Sequence, residues 1–300
     1  MSWEQCRWIN NHYQYSLGGI DASYSSTAKG TNGSIAPEKT LQVFKALKEA
    51  AAAVPKDQGI VHTPLFIDAG ASEGRALLHW AFFLSRQDGF DSSPIKVYGI
   101  ELPHLLDYEK IHKTAEICAE RELSCPVRIE IVWKDCKNIE SLSHEFNALS
   151  DNVGVVYSFW TVWFPEDKVR LLDLVAAEPN IRALAVYLTF KDKPYQGQRI
   201  DTDFILRRLC KGGADSKWTT YTSFTKCRFI GGSETATAVV FRRTHCMIDE
   251  AQSKDPASKQ QLHDSTVPRN VEGFAVLGLG PATNDGWVDI CMECGGGGGG

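Results

Sequence analysis

The 300-residue sequence has no continuous apolar run near the roughly 18 residues a membrane-spanning helix needs, so no membrane insertion is expected. It has no run of basic residues, and autonomous nucleic-acid binding is not expected. The start, Met1-Ser2-Trp3-Glu4-Gln5-Cys6, lacks the basic residues and apolar stretch of a secretory signal. The nine cysteines are odd in number and mostly scattered, at 6, 118, 125, 136, 210, 227 and 246. That is intracellular usage rather than a disulfide framework, and a nuclear or cytoplasmic protein is expected. Cys291-Met292-Glu293-Cys294 is a close pair, but no second pair or close histidine pair completes four ligands, so no metal site is expected.

What is present can fill a core: 43% of the residues are hydrophobic. The net charge of −5 comes entirely from residues 246–300, where eight Asp/Glu face three Lys/Arg. Three regions follow. Residues 1–35, polar and rich in Ser, Gly, Asn and Tyr, read as an irregular arm or lid, with His12, Tyr13 and Tyr15 as candidates to close over a site. Residues 36–245 read as the folded domain, and 246–300 as an acidic, partly flexible tail ending in polyglycine.

Within the domain, Leu41, Phe44, Leu47, Ala51 and Val54 make one apolar stripe, which predicts a helix over 37–54 opened by Pro37. Strands are predicted near 64–68, 96–101, 127–133, 153–159 and 182–190. Helices are predicted near 74–86, 105–120, 138–149, 167–177 and 202–210. The strands are apolar without alternation, as expected when helices cover both faces. Two alternating segments, 218–226 and 235–242, read as a closing hairpin around Ile230-Gly231-Gly232-Ser233. The expected fold is therefore α/β: a doubly wound, mostly parallel seven-stranded sheet closed by an antiparallel hairpin.

The chemistry is expected at the carboxyl ends of the strands. Leu65-Phe66-Ile67-Asp68-Ala69-Gly70-Ala71-Ser72-Glu73-Gly74 runs from a strand through a glycine-spaced turn into a helix, whose N-terminus suits an anionic group. The turn lacks the middle glycine of the dinucleotide fingerprint G-x-G-x-x-G. Glu101 ends the second strand, where a carboxylate can accept both hydroxyls of a ribose. Asp135 follows the third strand, where its carboxylate can serve as an N-cap for the helix predicted near 138. Three acids ending three successive strands form one constellation.

Asp68-x-Gly70-x-x-x-Gly74, with Glu101, Asp135 and the hairpin, resembles class I methyltransferases over roughly residues 60–245. The resemblance implies S-adenosylmethionine as cofactor, held by Asp68, Gly70, Ser72, Gly74, Glu101 and Asp135. After the fourth strand, Phe159-Trp160-Thr161-Val162-Trp163-Phe164-Pro165-Glu166 resembles the Disruptor-of-telomeric-silencing-like family of non-SET histone lysine methyltransferases. So do Tyr98-Gly99-Ile100-Glu101 and Leu188-Thr189-Phe190, although Phe159-Trp160 stand where that family carries Asn-Asn. This likeness implies methyl transfer to a protein amine, a lysine of histone or nucleosome type. Tyr157, Trp160 and Trp163 would then line the acceptor channel, where aromatic faces attract a sulfonium or ammonium. Two other readings stay open: the same fold acting on a small molecule, favoured by the neutral domain, and a cofactor- or partner-binding module without turnover.

Overall fold

The computed structural model describes residues 26–27, 30–31, 37–52, 63–87, 90, 94–103, 109–123, 125–212, 216–228 and 235–245. The arm aromatics, the turn of the hairpin, the tail and its cysteine pair lie outside the described residues. Within the arm, Ser26–Thr27 pairs antiparallel with Gly30–Thr31.

Helix α1 (Pro37–Ala52) precedes five strand–helix repeats. These are β1 (Leu65–Ala69), α2 (Arg75–Ser85), β2 (Ile95–Glu101), α3 (Glu109–Leu123), β3 (Val127–Trp133), α4 (Leu142–Glu145), β4 (Gly154–Ser158), α5 (Pro165–Ala177), β5 (Ile181–Leu188) and α6 (Thr202–Leu209). The hairpin strands β6 (Ser216–Arg228) and β7 (Thr235–His245) close the sheet. Its order is β3-β2-β1-β4-β5-β7-β6, parallel from β3 to β5 and antiparallel at β7 and β6. That is the class I methyltransferase arrangement, with a reversal of strand order between β1 and β4 where ligands bind in open α/β sheets.

Successive residues of β1 serve opposite layers, because side chains alternate across a strand. Phe66 packs with α1, α2 and α3, whereas Leu65, Ile67 and Ala69 pack with α4, α5 and α6. On the first layer Phe66 stacks on Trp80 at 4.5 Å, and Phe44 of α1 meets both edge-on at 5.2 Å. The hairpin is fastened to the second layer by Arg243. Its guanidinium donates to the carbonyls of Val175 and Ala176 at 2.9 Å each and lies 4.9 Å over the Trp218 ring. Those carbonyls belong to the last turn of α5, so Arg243 satisfies acceptors that a helix end leaves open.

One predicted element differs. Residues 138–149 are not a single helix but a 3-10 turn (Cys136–Asn138), the short α4 and a second 3-10 turn (Asn147–Ser150). Two caps close together explain the break: the Asp135 carboxylate accepts from Lys137 N, and the Ser141 hydroxyl accepts from His144 N with Ser141 itself extended. Short polar side chains that bond to the local backbone restart a helix rather than continue it. The apolar stripe survives, since Ile139, Leu142, Phe146 and Leu149 are all buried.

β6 is one edge of the sheet, thirteen residues long, with register shifts between Thr220 and Thr222 and between Phe224 and Cys227. Lys226 there has φ 55°.

Candidate functional site

The turn after β1 is built onto β2. The amides of Gly70 and Ala71 both donate to the Ile100 carbonyl, at 2.9 and 3.1 Å. This close approach needs Gly99, where a Cβ would stand 2.6 Å from Ala71 Cβ and 2.7 Å from Ile131 Cδ1. Gly70 (φ 89°) and Gly74 (φ 82°) take left-handed conformations, and Gly74 caps α2. Ser72, between them, is also left-handed at φ 48°, an uncommon state for a residue with a side chain.

Glu101 is the hub. It is buried at the end of β2, and its two carboxylate oxygens accept from two backbone amides: Ser72 N at 2.6 Å and Leu102 N at 2.7 Å. Asp68, at the end of β1, is buried beside it. Burial, and then the Glu101 charge, push the Asp68 carboxyl well above the usual carboxylate range. Glu73, inside the turn, is raised by burial to about 7, with Arg75, 3.8 Å away, working against the rise. Asp68 and Glu101 thus interact directly at the strand ends, and the Glu73 carboxyl is buried in the turn that joins them.

Asp135 stands at the end of the next strand, half-buried, with one oxygen taken by Lys137 N. The neighbouring Cys136 thiol is pushed up to about 12 by burial first and then by Asp135, so it stays protonated. Across the strand-order reversal, the Ser158 hydroxyl at the end of β4 donates to the Ala69 carbonyl at 2.7 Å, tying the two strand ends together.

The three aromatics expected on an acceptor channel are placed differently from one another. Trp163 is half-buried and lies over Gly70, with its Cζ2 2.9 Å from where a Cβ would be. Trp160 is fully buried: its indole N–H donates to the Tyr187 carbonyl at 2.8 Å, and the Lys168 ammonium sits 5.8 Å over its ring. Tyr157 is buried too, its hydroxyl 3.4 Å from that of Tyr187. The difference from the expected channel is physical. An indole at a strand end with a carbonyl in reach satisfies its polar atom and buries its ring at once.

Two buried polar residues were not flagged by sequence. His112, on α3, lies 2.8 Å from the Ser72 carbonyl through Nε2 and stacks on Trp133. Lys168, on α5, is 2% exposed and paired at 2.6 Å with Asp192, which is 1% exposed. Each contact joins segments far apart in the chain, so no local pattern announces it. Among the described residues, no group of three or more His, Cys, Asp or Glu could hold a metal, and no helix is long and apolar enough to cross a membrane. Cys118, Cys125, Cys136, Cys210 and Cys227 are free thiols.

One consequence is testable here. His79, buried on α2, is held down at about 3 by burial first and by Arg75 next. The unfolded chain therefore binds a proton there that the folded chain refuses, and stability falls as pH drops below the unfolded value near 6.5. His79→Gln removes this loss: the stability gap between variant and wild type should shift in the variant's favour by about 2 kcal/mol from pH 7 to pH 5. Urea unfolding at both pH values measures it, and a gap that stays constant would contradict the assignment. Asp68 and Glu73 titrate with the opposite sign but cancel in the comparison.

No protein-family model matches the chain, and no curated protein does. Solved structures are similar at low identity. An O-methyltransferase family protein from Burkholderia thailandensis is 11% identical over 70% of this chain and 59% of its own, with a TM-score of 0.39. The O-methyltransferase TomG from Streptomyces achromogenes, involved in tomaymycin synthesis and solved with S-adenosylmethionine, is 14% identical over 81% and 91%, at 0.39. The small RNA methyltransferase HEN1 is 11% identical over 70% and 25%, at 0.45. The chain thus spans 59% of the length of the Burkholderia protein and a quarter of HEN1.

Proposed function

We propose that the chain is an S-adenosylmethionine-dependent methyltransferase whose acceptor is a small molecule with an apolar face. The observation that carries the reading is Glu101. Its buried carboxylate is fixed at the end of β2, one oxygen accepting from Ser72 N and the other from Leu102 N. An acceptor-only carboxylate held at a strand's carboxyl end matches a ribose, which presents two neighbouring hydroxyl donors. Asp68 and Glu73 supply the second support. A buried, carboxyl-rich turn favours a ligand with an ammonium and a sulfonium over one with a pyrophosphate.

Gly70, Ser72 and Gly74 would cradle the ligand against the N-terminus of α2, with Asp135 at the adenine end. When bound, S-adenosylmethionine supplies an activated methyl group. The protein's own residues then act by position: they orient the acceptor, exclude water and hold the turn rigid, and no dedicated base is required. Trp163, the half-buried member of the aromatic trio, takes the acceptor side over Gly70, while Tyr157 and Trp160 brace the strand ends.

The acceptor class rests on the rim. Val162, Phe164 and Phe190, on loops leaving β4 and β5, are 38%, 64% and 93% exposed. Residues 1–245 are electrically neutral overall, without the basic surface a nucleosome demands. The protein-lysine reading has its own support in Phe164-Pro165-Glu166 opening α5 after the strand Gly154–Ser158, the pattern of the telomeric-silencing-like family.

Tritiated S-adenosylmethionine incubated with a deproteinised extract, free histones and nucleosomes separates the readings. Label is expected in small molecules. Label confined to histones or nucleosomes would replace the small-molecule acceptor with a lysine, and no label with no calorimetric binding of the cofactor would end the methyltransferase reading.

A further inference from the structure

We propose that His112 is a positioning residue for the cofactor turn, gripping Ser72 from its carbonyl side while Glu101 grips it from its amide side. Ser72 is the strained point of the turn. Its left-handed backbone costs on the order of 1 kcal/mol for a residue with a Cβ, and such a state persists only where the surroundings over-determine it. Two contacts do so. Ser72 N donates to Glu101 Oε2 at 2.6 Å, and His112 Nε2 meets Ser72 O at 2.8 Å. The peptide groups on both sides of one Cα are thereby fixed.

The imidazole is committed to this task. A carbonyl can only accept, so Nε2 carries the proton and Nδ1 is bare. Nδ1 is buried and has no hydrogen-bond partner, which makes this an expensive place for a ring with two nitrogens. Burial also holds His112 below the usual imidazole range, keeping the single-donor form. Its ring is 3% exposed and lies 5.8 Å from Trp133, nearly parallel at 24°. Trp133 ends β3 and is the register partner of Glu101, so the two grips on Ser72 are braced against adjacent strands. What the histidine does that an apolar residue of its size would not is donate to Ser72. The inference deepens the proposed cofactor site and rests on that reading for its binding arm only.

Two substitutions divide the side chain's roles. His112→Phe keeps a flat ring on Trp133 and loses the donor. His112→Gln loses the ring and keeps an N–H that reaches the carbonyl. Calorimetry with S-adenosylmethionine should show Kd raised at least about tenfold by Phe and no more than about threefold by Gln, a tenfold change being about 1.4 kcal/mol. Amide hydrogen exchange of the ligand-free protein should show residues 72–74 exchanging about tenfold faster in the Phe variant alone. Equal impairment of both variants, or a Phe variant that behaves as wild type, would overturn the proposal. If wild type does not bind S-adenosylmethionine, the functional reading fails while the exchange comparison still decides the grip on Ser72.

Discussion

Glutamine in place of Glu101 is expected to weaken S-adenosylmethionine binding by about 100-fold, measured by calorimetry on the purified chain. One carboxylate oxygen accepts from Ser72 N and the other from Leu102 N, and in the proposed site the same group receives the ribose hydroxyls. An amide keeps one oxygen and turns an NH2 toward the other backbone donor. One charge-assisted bond to the backbone is lost, one to the ligand is lost, and two donors face each other. A hydrogen bond to a charged group is worth about 1.5–3 kcal/mol, so losses of this kind exceed the roughly 2.7 kcal/mol that 100-fold requires. An unchanged Kd would remove Glu101 from the cofactor site and leave it as a brace of the turn. The same substitution abolishes the Glu101 charge that raises Asp68, so the Asp68 carboxyl should titrate lower in the variant.

The largest stability effect should come from Lys168→Met, which is expected to destabilise the fold by about 3–5 kcal/mol. The Lys168 and Asp192 side chains are both buried, 2.6 Å apart, and Asp192 also accepts from Thr189 N at 2.8 Å. Removing the ammonium strands a side-chain carboxylate that is only 1% exposed. Burial already pulls the lysine below its ordinary range, with Asp192 opposing, which shows how much this site dislikes charge. Adding Asp192→Asn to the methionine variant should recover most of the loss, because an amide oxygen still accepts from Thr189. Urea midpoints of the two single variants, the double variant and wild type complete the cycle. A double variant no better than Lys168→Met alone would mean that packing, rather than the stranded charge, dominates.

These two sites differ in how far the sequence betrayed them. Asp68, Gly70, Gly74, Glu101 and Asp135 each stand where an apolar run ends, a signal carried along the chain itself. The structure brings those run ends together at the carboxyl ends of the adjacent strands β1, β2 and β3. The parallel strands were legible for the same reason: a continuous apolar run between polar turns survives almost any tertiary context. The broken segment around α4 was not. Its burial period of 3.6 was real, but two side-chain caps decided the backbone, and caps compete with helix over single residues. His112 and Lys168 were invisible because their partners lie 40 and 24 residues away. Trp160 is ambiguous in sequence for a related reason. An indole after a strand fits a ligand wall as well as a core, and only the Tyr187 carbonyl tells them apart.

The interrupted ladder of β6 has a meaning beyond the single molecule. A straight, thirteen-residue edge would offer a row of free amides and carbonyls to any strand from another chain. Two register shifts twist that row out of line, Lys226 turns it further through a left-handed kink, and Lys217, Lys226 and Arg228 set exposed like charges along it. The irregularities that look like imperfect pairing are what make this border a poor template for intermolecular β-assembly.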